Sequence, residues 1–296
     1  MIKVNGKIVD VELFPNAELK VDTDWDLSTE EVLVEFKYFS SSDLIALILV
    51  LGHIHQETTK NVKLYIYYMP YSRMDRNQNG NCYSLLHIID LLTHILYCDD
   101  EVFIVEPHSE KTKLLFNYLD PRIAVKVVPL SLTLAKKVMK IYPVDVICYP
   151  DKGARERFGD IGSNTPVVYC EKKRDFDTGN IIGLELISSV DLVGKKVMII
   201  DDLCSKGGTF YHTANKLKEA GAAEIYLTVT HMESNVKYGK ILIDDQGHNS
   251  DSPISHIFCT NSMLDERDLV ISGRNITVYD LPSLIFSKKL KEVICE

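Results

Sequence analysis

The chain has 296 residues, 46% of them hydrophobic and 25% charged, enough for two ordinary globular cores. A formal net charge of −9 argues against non-specific attraction to a phosphate backbone, which needs surplus Lys and Arg, so nucleic acid is not an expected partner. Seven scattered cysteines, with no CxxC pair and no close Cys/His cluster, argue against a structural zinc site and read as reduced, mostly buried thiols of a cytoplasmic protein.

The first residues, MIKVNGKIVDVELF, lack the apolar core of a secretory signal, and the longest purely apolar run, Leu44 to Leu51, is too short to span a bilayer; no membrane association is expected. Beyond them, β-branched or aromatic runs alternate with helical patterns. VLVEF from Val32 reads as a strand and Asp43 to Gly52 as a helix, acidic in its first turn and closed by glycine. VKLYIYY from Val62 is the next strand. Leu85 to Leu96 follows as a helix with apolar residues every third or fourth position, and His87 and His94 are expected only to decorate its surface. EVFIVE at Glu101, IAVKVV at Ile123, VDVICY at Val144, KKVMIID at Lys195 and EIYLTVT at Glu224 continue the series. Such alternation predicts parallel sheets covered on both faces. A break near Tyr142-Pro143 would divide the chain into two α/β halves, and the polar DDQGHNSDSP, Asp244 to Pro253, reads as a surface loop.

VMIIDDLCSKGGTFYHTANKL, Val197 to Leu217, carries the strongest chemical signal. Lys196 to Ile200 read as a buried strand, Gly207-Gly208 permit a tight turn, and a helix runs from Thr209 to about Ala220-Gly221. Ligands of open parallel sheets bind beyond the carboxyl ends of strands, where this turn lies. The helix start offers unpaired N–H groups and a positive dipole end that suit a phosphate. Adjacent carboxylates repel unless a cation or a hydroxyl-rich ligand is near, so Asp201 and Asp202 point to a sugar diol and a bound Mg²⁺.

The string IIDDLCSKGGT resembles the phosphoribosyl-diphosphate loop shared by type I phosphoribosyltransferases and ribose-phosphate diphosphokinases. The resemblance implies that Asp201 and Asp202 hold ribose hydroxyls while Ser205, Lys206, Gly207, Gly208 and Thr209 cradle the 5-phosphate. Three further strings resemble the diphosphokinase family in particular. YYMPYSRMDR, Tyr67 to Arg76, is similar to its ATP loop, with Arg73 as the contact. VEPHSEKTKLLF delivers His108 at a strand end, where the family binds the metal–nucleotide; YCEKKRDFD is similar to the catalytic flexible loop, with Lys172 and Arg174 over the ATP phosphates. Asp151 in CYPDKGARERF matches a metal-binding acid, and ELFPNAEL resembles the adenine segment, making Phe14 and Glu18 candidates. The same letters also suit a β-turn at Pro15-Asn16. These pieces occur in family order, and a phosphoribosyltransferase is not expected to carry the N-terminal half.

The family implies two tandem type I phosphoribosyltransferase-like α/β domains, each a mostly parallel sheet flanked by helices: residues 1–142 on the ATP side, 143–280 with the ribose-phosphate loop, and a helix over 281–296 returning to the first domain. It implies transfer of the β,γ-diphosphate of ATP to C1 of ribose 5-phosphate with Mg²⁺, giving phosphoribosyl diphosphate and AMP, by a homodimer or higher homo-oligomer. The chain departs from the pattern at Asn16, Met74, Ser205-Lys206 and NQNGNCYS after Arg76. Lys206 adds a cation beside the 5-phosphate site, which leaves open a larger acceptor such as ADP-ribose, in NAD metabolism. A phosphoribosyltransferase or a non-catalytic regulatory member are the remaining readings.

Overall fold

The computed structural model describes residues 1–77, 80–159, 164–174, 181–243, 248–264 and 274–286, with 172–174 and 181–182 described by their backbone. They fall into two compact units, one from Met1 to Val128 that resumes at Ile285 and one from Pro129 to Leu284. Tyr142-Pro143 lies inside the second unit.

In the first unit, β1 (Ile2–Val4) turns into β2 (Lys7–Ile8) through Asn5 and Gly6, whose φ values of 49° and 82° are those a two-residue type I′ hairpin requires. A separate hairpin, β3 (Val11–Leu13) and β4 (Leu19–Val21), carries Phe14 to Glu18 as its exposed tip. The main sheet continues with β5 (Val32–Phe36), β6 (Val62–Ile66), β7 (Glu101–Val105) and β8 (Ala124–Val128) in the order β2-β1-β5-β6-β7-β8. β5 to β8 are parallel, and β1 runs antiparallel to β5. Helices α1 (Ser41–Glu57), α2 (Ser84–Thr93) and α3 (Lys111–Leu119) connect the parallel strands.

The sequence suggests an end for α1 at Gly52, but the helix continues to Glu57, because Ile54 and His55 keep its inner face buried past the glycine. Gly52 lies on the exposed face, with nothing within 4 Å of where a Cβ would sit. At the other end, Asp43 Oδ2 accepts the Ser40 N–H at 2.8 Å, closing the first turn. His87 and His94 are both exposed on or just past α2. Val34, Phe36, Leu47, Leu64, Ile66, Ile89 and Phe116 are among the fully buried core residues, each contributing on the order of 1.5–3 kcal/mol by burial. Phe286 sets its ring edge-on to Tyr65 at 5.0 Å; the rest of the expected C-terminal helix, 287–296, lies outside the described residues.

The second unit opens with α4 (Leu130–Met139), β9 (Val146–Tyr149) and α5 (Lys152–Phe158). A hairpin of β10 (Val167–Arg174) and β11 (Ile181–Ile187) follows, then β12 (Lys196–Cys204), α6 (Gly208–Glu219) and β13 (Glu224–Met232). A 3₁₀ turn over Ser234–Tyr238, β14 (His256–Thr260), β15 (Ile276–Tyr279) and α7 (Leu281–Ile285) complete it. The strand order is β11-β10-β9-β12-β13-β14-β15, parallel except for β11 against β10. Alternate residues of the central strands enter two cores. Cys148, Val197 and Ile199 pack with Ala214 and Leu217 of α6, while Ile147, Met198 and Ile200 pack with Leu134 of α4 and Phe158 of α5.

The chain steps from β9 through α5 to β10 in one direction, and from β12 through α6 to β13 in the other. The point where the direction reverses lies between β9 and β12, and in open α/β sheets the crevice beyond the strand ends at such a point is where ligands bind. Asp151 lies two residues past the end of β9, and Asp201 and Asp202 lie near the end of β12. Among the described residues, no helix is long and apolar enough to cross a membrane.

Candidate active site

β12 extends further than its apolar letters suggest. Its parallel pairing with β9 stops at Ile199 opposite Cys148, but pairing with β13 continues to Cys204 opposite Met232. Asp201 and Asp202 therefore belong to the strand, on the stretch that β9 has already left. Asp202 is 3% exposed, and its N–H donates to Asp201 Oδ1 at 2.9 Å. Burial drives the Asp201 carboxyl well above the ordinary carboxylate range; the neighbouring Asp202 adds to the shift, and Arg157 opposes it.

Ser205 and Lys206 lead to Gly207, which caps α6 in the left-handed conformation at φ 78°. The first-turn N–H groups of α6 have no partners inside the helix, the arrangement that receives an anion. The wall behind this turn is built by a segment that the loop motif does not reveal. Glu233 N donates to Cys204 O at 2.8 Å, a Cβ on Gly207 would lie 2.4 Å from Ile241 Cδ1, and one on Gly239 would lie 1.9 Å from Lys206 O. Gly239 is thus required by close backbone approach; its only sequence signal is a lone glycine after a polar stretch.

On the neighbouring strand, Asp151 caps α5, its Oδ1 accepting the Ala154 N–H at 3.0 Å. From the last turn of the same helix, Arg157 Nη1 reaches Asp202 Oδ1 at 2.9 Å. Arg155 lies over the Tyr169 ring at 4.0 Å, holding α5 against β10.

In the first unit, Arg73 and His108 belong to loops that leave the carboxyl ends of β6 and β7, which are adjacent parallel strands. Arg73 is exposed and His108 half-buried. Asp75 joins the two loops. It is 3% exposed, accepts Ser109 Oγ–H at 2.9 Å and Arg76 Nε–H at 2.9 Å, and its backbone carbonyl accepts Lys111 Nζ at 3.0 Å. Burial alone would raise its carboxyl, but Arg76, Ser109 and Lys111 outweigh that and hold it below the ordinary value. Tyr71 at φ 59° and Glu106 at φ 39° place left-handed residues in both loops, local strain of the kind that functional loops carry. Neither Asp75 nor Ser109 stands out in the sequence, although each lies next to a residue that does.

Four other candidates belong to different elements. Phe14, 48% exposed, and Glu18 flank the β3–β4 turn, where Phe14 N donates to Glu18 O at 2.9 Å. Lys172 and Arg174, read from sequence as a flexible loop, have backbones in β10, opposite Leu184 and Ile181, with an irregularity between residues 173 and 174. The strand forms despite three consecutive cations because Val167 to Tyr169 pair with β9 and Tyr169 to Arg174 with β11. Residues 175–180 lie outside the described set.

Against known proteins, the ribose-phosphate pyrophosphokinase of Pyrococcus abyssi is 30% identical over 234 residues, 78% of this chain and 79% of that protein. The chain belongs to the ribose-phosphate pyrophosphokinase family. Pyrophosphokinase and diphosphokinase are two words for the same activity, so the resemblance read from the sequence motifs holds, and the protein is a transferase of this type. The ribose-phosphate pyrophosphokinase of Saccharolobus solfataricus is 29% identical over 237 residues, 78% of this chain and 77% of its own length. A crystal structure of phosphoribosylpyrophosphate synthetase from Mycobacterium smegmatis matches with a TM-score of 0.75 at 19% identity, covering 97% of this chain and 90% of that one; the fold is shared. No family model matches the chain.

Metal fit in this ribose-phosphate pyrophosphokinase family member rests on oxygen donors. Among the described residues, no three His, Cys, Asp or Glu side chains form a cage. Asp151, Asp201 and Asp202 instead suit Mg²⁺, which is commonly bound through one or two carboxylates, waters and substrate phosphates. His108 is a nitrogen donor, less matched to that ion.

Proposed function

We propose that the protein transfers the β,γ-diphosphate of ATP to the C1 hydroxyl of ribose 5-phosphate. The observation that carries this reading is the half-buried Asp201 and buried Asp202 running through a left-handed Gly207 into the open start of α6, in a chain of this family. The carboxylates accept hydrogen bonds from the ribose hydroxyls, and the α6 N-terminus with Ser205, Lys206 and Thr209 receives the 5-phosphate. Arg73 and His108 hold the ATP phosphates, Phe14 and Glu18 the adenine.

The C1 oxygen attacks the β-phosphorus in line; a bond forms between them, the bond from the β-phosphorus to the α,β-bridging oxygen breaks, and AMP departs with that oxygen. Lys172 and Arg174 stabilise the charge on the moving group. Bound at Asp151, Mg²⁺ would supply charge neutralisation to the phosphates. Assembly into a homodimer or larger homo-oligomer belongs to the same reading.

A second acceptor has one observation in its favour: Lys206 is exposed in the phosphate loop, where it offers charge to a second phosphate such as that of ADP-ribose. The test is AMP release from ATP with ribose 5-phosphate or ADP-ribose as acceptor, resolved by chromatography. Ribose 5-phosphate is expected to give AMP and phosphoribosyl diphosphate in equal amounts. No AMP with either acceptor refutes the transfer; AMP with ADP-ribose alone moves the assignment to the larger sugar. The Lys172→Ala, Arg174→Ala protein should turn over about 10²- to 10³-fold more slowly while still binding the sugar. Near-normal turnover would show that these cations do not act on the transferring group.

A further inference from the structure

Two carboxylates stand near the end of β12, and Asp202 is ion-paired with Arg157: Nη1 to Oδ1 at 2.9 Å, with the side chains 23% and 5% exposed. Arg157 comes from the last turn of α5, the same short helix whose N-cap is Asp151. One rigid element therefore touches the candidate sugar acid at its far end and carries the candidate metal acid at its near end. α5 is itself held, by Arg155 over Tyr169 and by Tyr149 Oη–H donating to Gly159 O at 2.8 Å.

The two acids have different contacts. Arg157 Nη1 lies 2.9 Å from Asp202 Oδ1, while Asp201 Oδ1 accepts the Asp202 N–H at 2.9 Å. Orientation matters to a vicinal diol, because a carboxyl group accepts from both hydroxyls only when its plane matches theirs.

We propose that Arg157 is a positioning residue for acceptor binding: through Oδ1 it sets the orientation in which Asp202 meets the sugar hydroxyls, and it locks β12 to the helix that carries Asp151. This rests on the reading of Asp201 and Asp202 as the sugar site. Arginine suits the task because its planar fork holds direction as well as charge, which a lysine ammonium does not.

The test compares wild type, Arg157→Met and Arg157→Lys by steady-state kinetics with each substrate varied, by calorimetric titration of ribose 5-phosphate without ATP, and by thermal midpoint. Arg157→Met should raise the acceptor KM by about 100-fold, as a misplacement near 1 Å does, with a matching loss of acceptor affinity and an ATP KM within about 3-fold of wild type. Arg157→Lys should recover part of that loss. If Arg157→Met does not fold, Arg157→Lys decides alone, with a several-fold rise expected for the acceptor and none for ATP. Unchanged acceptor affinity, or equal losses on both substrates, overturns the assignment. The wild-type arm separates the two ideas: wild-type turnover with an unmoved acceptor KM in the variants rejects Arg157 only, whereas a wild-type protein that neither binds nor converts ribose 5-phosphate rejects the site and the role together.

Discussion

Replacing Gly207 with alanine makes two separable demands on the phosphate loop. At φ 78° any residue with a Cβ adopts the left-handed conformation, at roughly 1–2 kcal/mol. The added Cβ would also lie 2.4 Å from Ile241 Cδ1, 2.7 Å from Cγ1 and 3.4 Å from Cγ2, in a side chain with no exposed surface. Overpacking of this kind costs about 1–3 kcal/mol, so the single substitution should cost about 2–5 kcal/mol in all. Ile241→Ala removes all three crowding atoms at its own cost of about 2–5 kcal/mol, and in that background Gly207→Ala should retain only the backbone component. The double variant is then expected to be about 1–3 kcal/mol more stable than the sum of the singles predicts. Urea unfolding followed by hydrogen-exchange protection of β12 and β13 amides reads the second unit by itself. Strict additivity would remove the steric contact from the explanation. A Gly207→Ala protein within about 0.5 kcal/mol of wild type would remove the backbone strain as well.

Asp201→Asn should stabilise the fold while weakening acceptor binding. Because the folded carboxyl titrates well above its unfolded value near 4, the folded state holds the extra proton, and wild-type stability falls as pH rises through that interval, by at most about 1.4 kcal/mol per pH unit. The gain in thermal midpoint from the amide should therefore widen between pH 5 and pH 8, and a constant difference would contradict a protonated Asp201. Gly52→Ala should add about 0.8–1 kcal/mol to the first unit without touching activity, since the site is exposed, mid-helix and open around the missing Cβ; a loss of stability in urea would mean that α1 is interrupted there.

Most of the phosphate-loop half of the site is legible because it is local. Asp201, Asp202, Gly207 and Thr209 occur within nine consecutive residues, and a strand, a turn and a helix start impose their own geometry on neighbours. Asp75 against Ser109, Arg157 against Asp202 and Gly239 against Lys206 are separated by long stretches of chain and meet only after the sheet order is fixed, so no spacing announces them. Errors within elements have equally physical sources. Gly52 resembles a helix stop, but buried residues beyond it outweigh the propensity of one glycine. The KKR run resembles the family's flexible loop, yet its backbone pairs with β11 and belongs to β10. Asn5-Gly6 is the reverse case, a hairpin turn that the reading of the chain's first residues passed over, joining the short β1 and β2.

The anchoring of two loops to one carboxylate has a consequence for recombining this chain with its relatives. Segments 67–76 and 105–111 cannot be exchanged one at a time, because either graft brings a foreign partner to the Asp75–Ser109 contact. Transplanted together they carry their own joint with them, so chimeras should tolerate the pair as a block and reject each half alone.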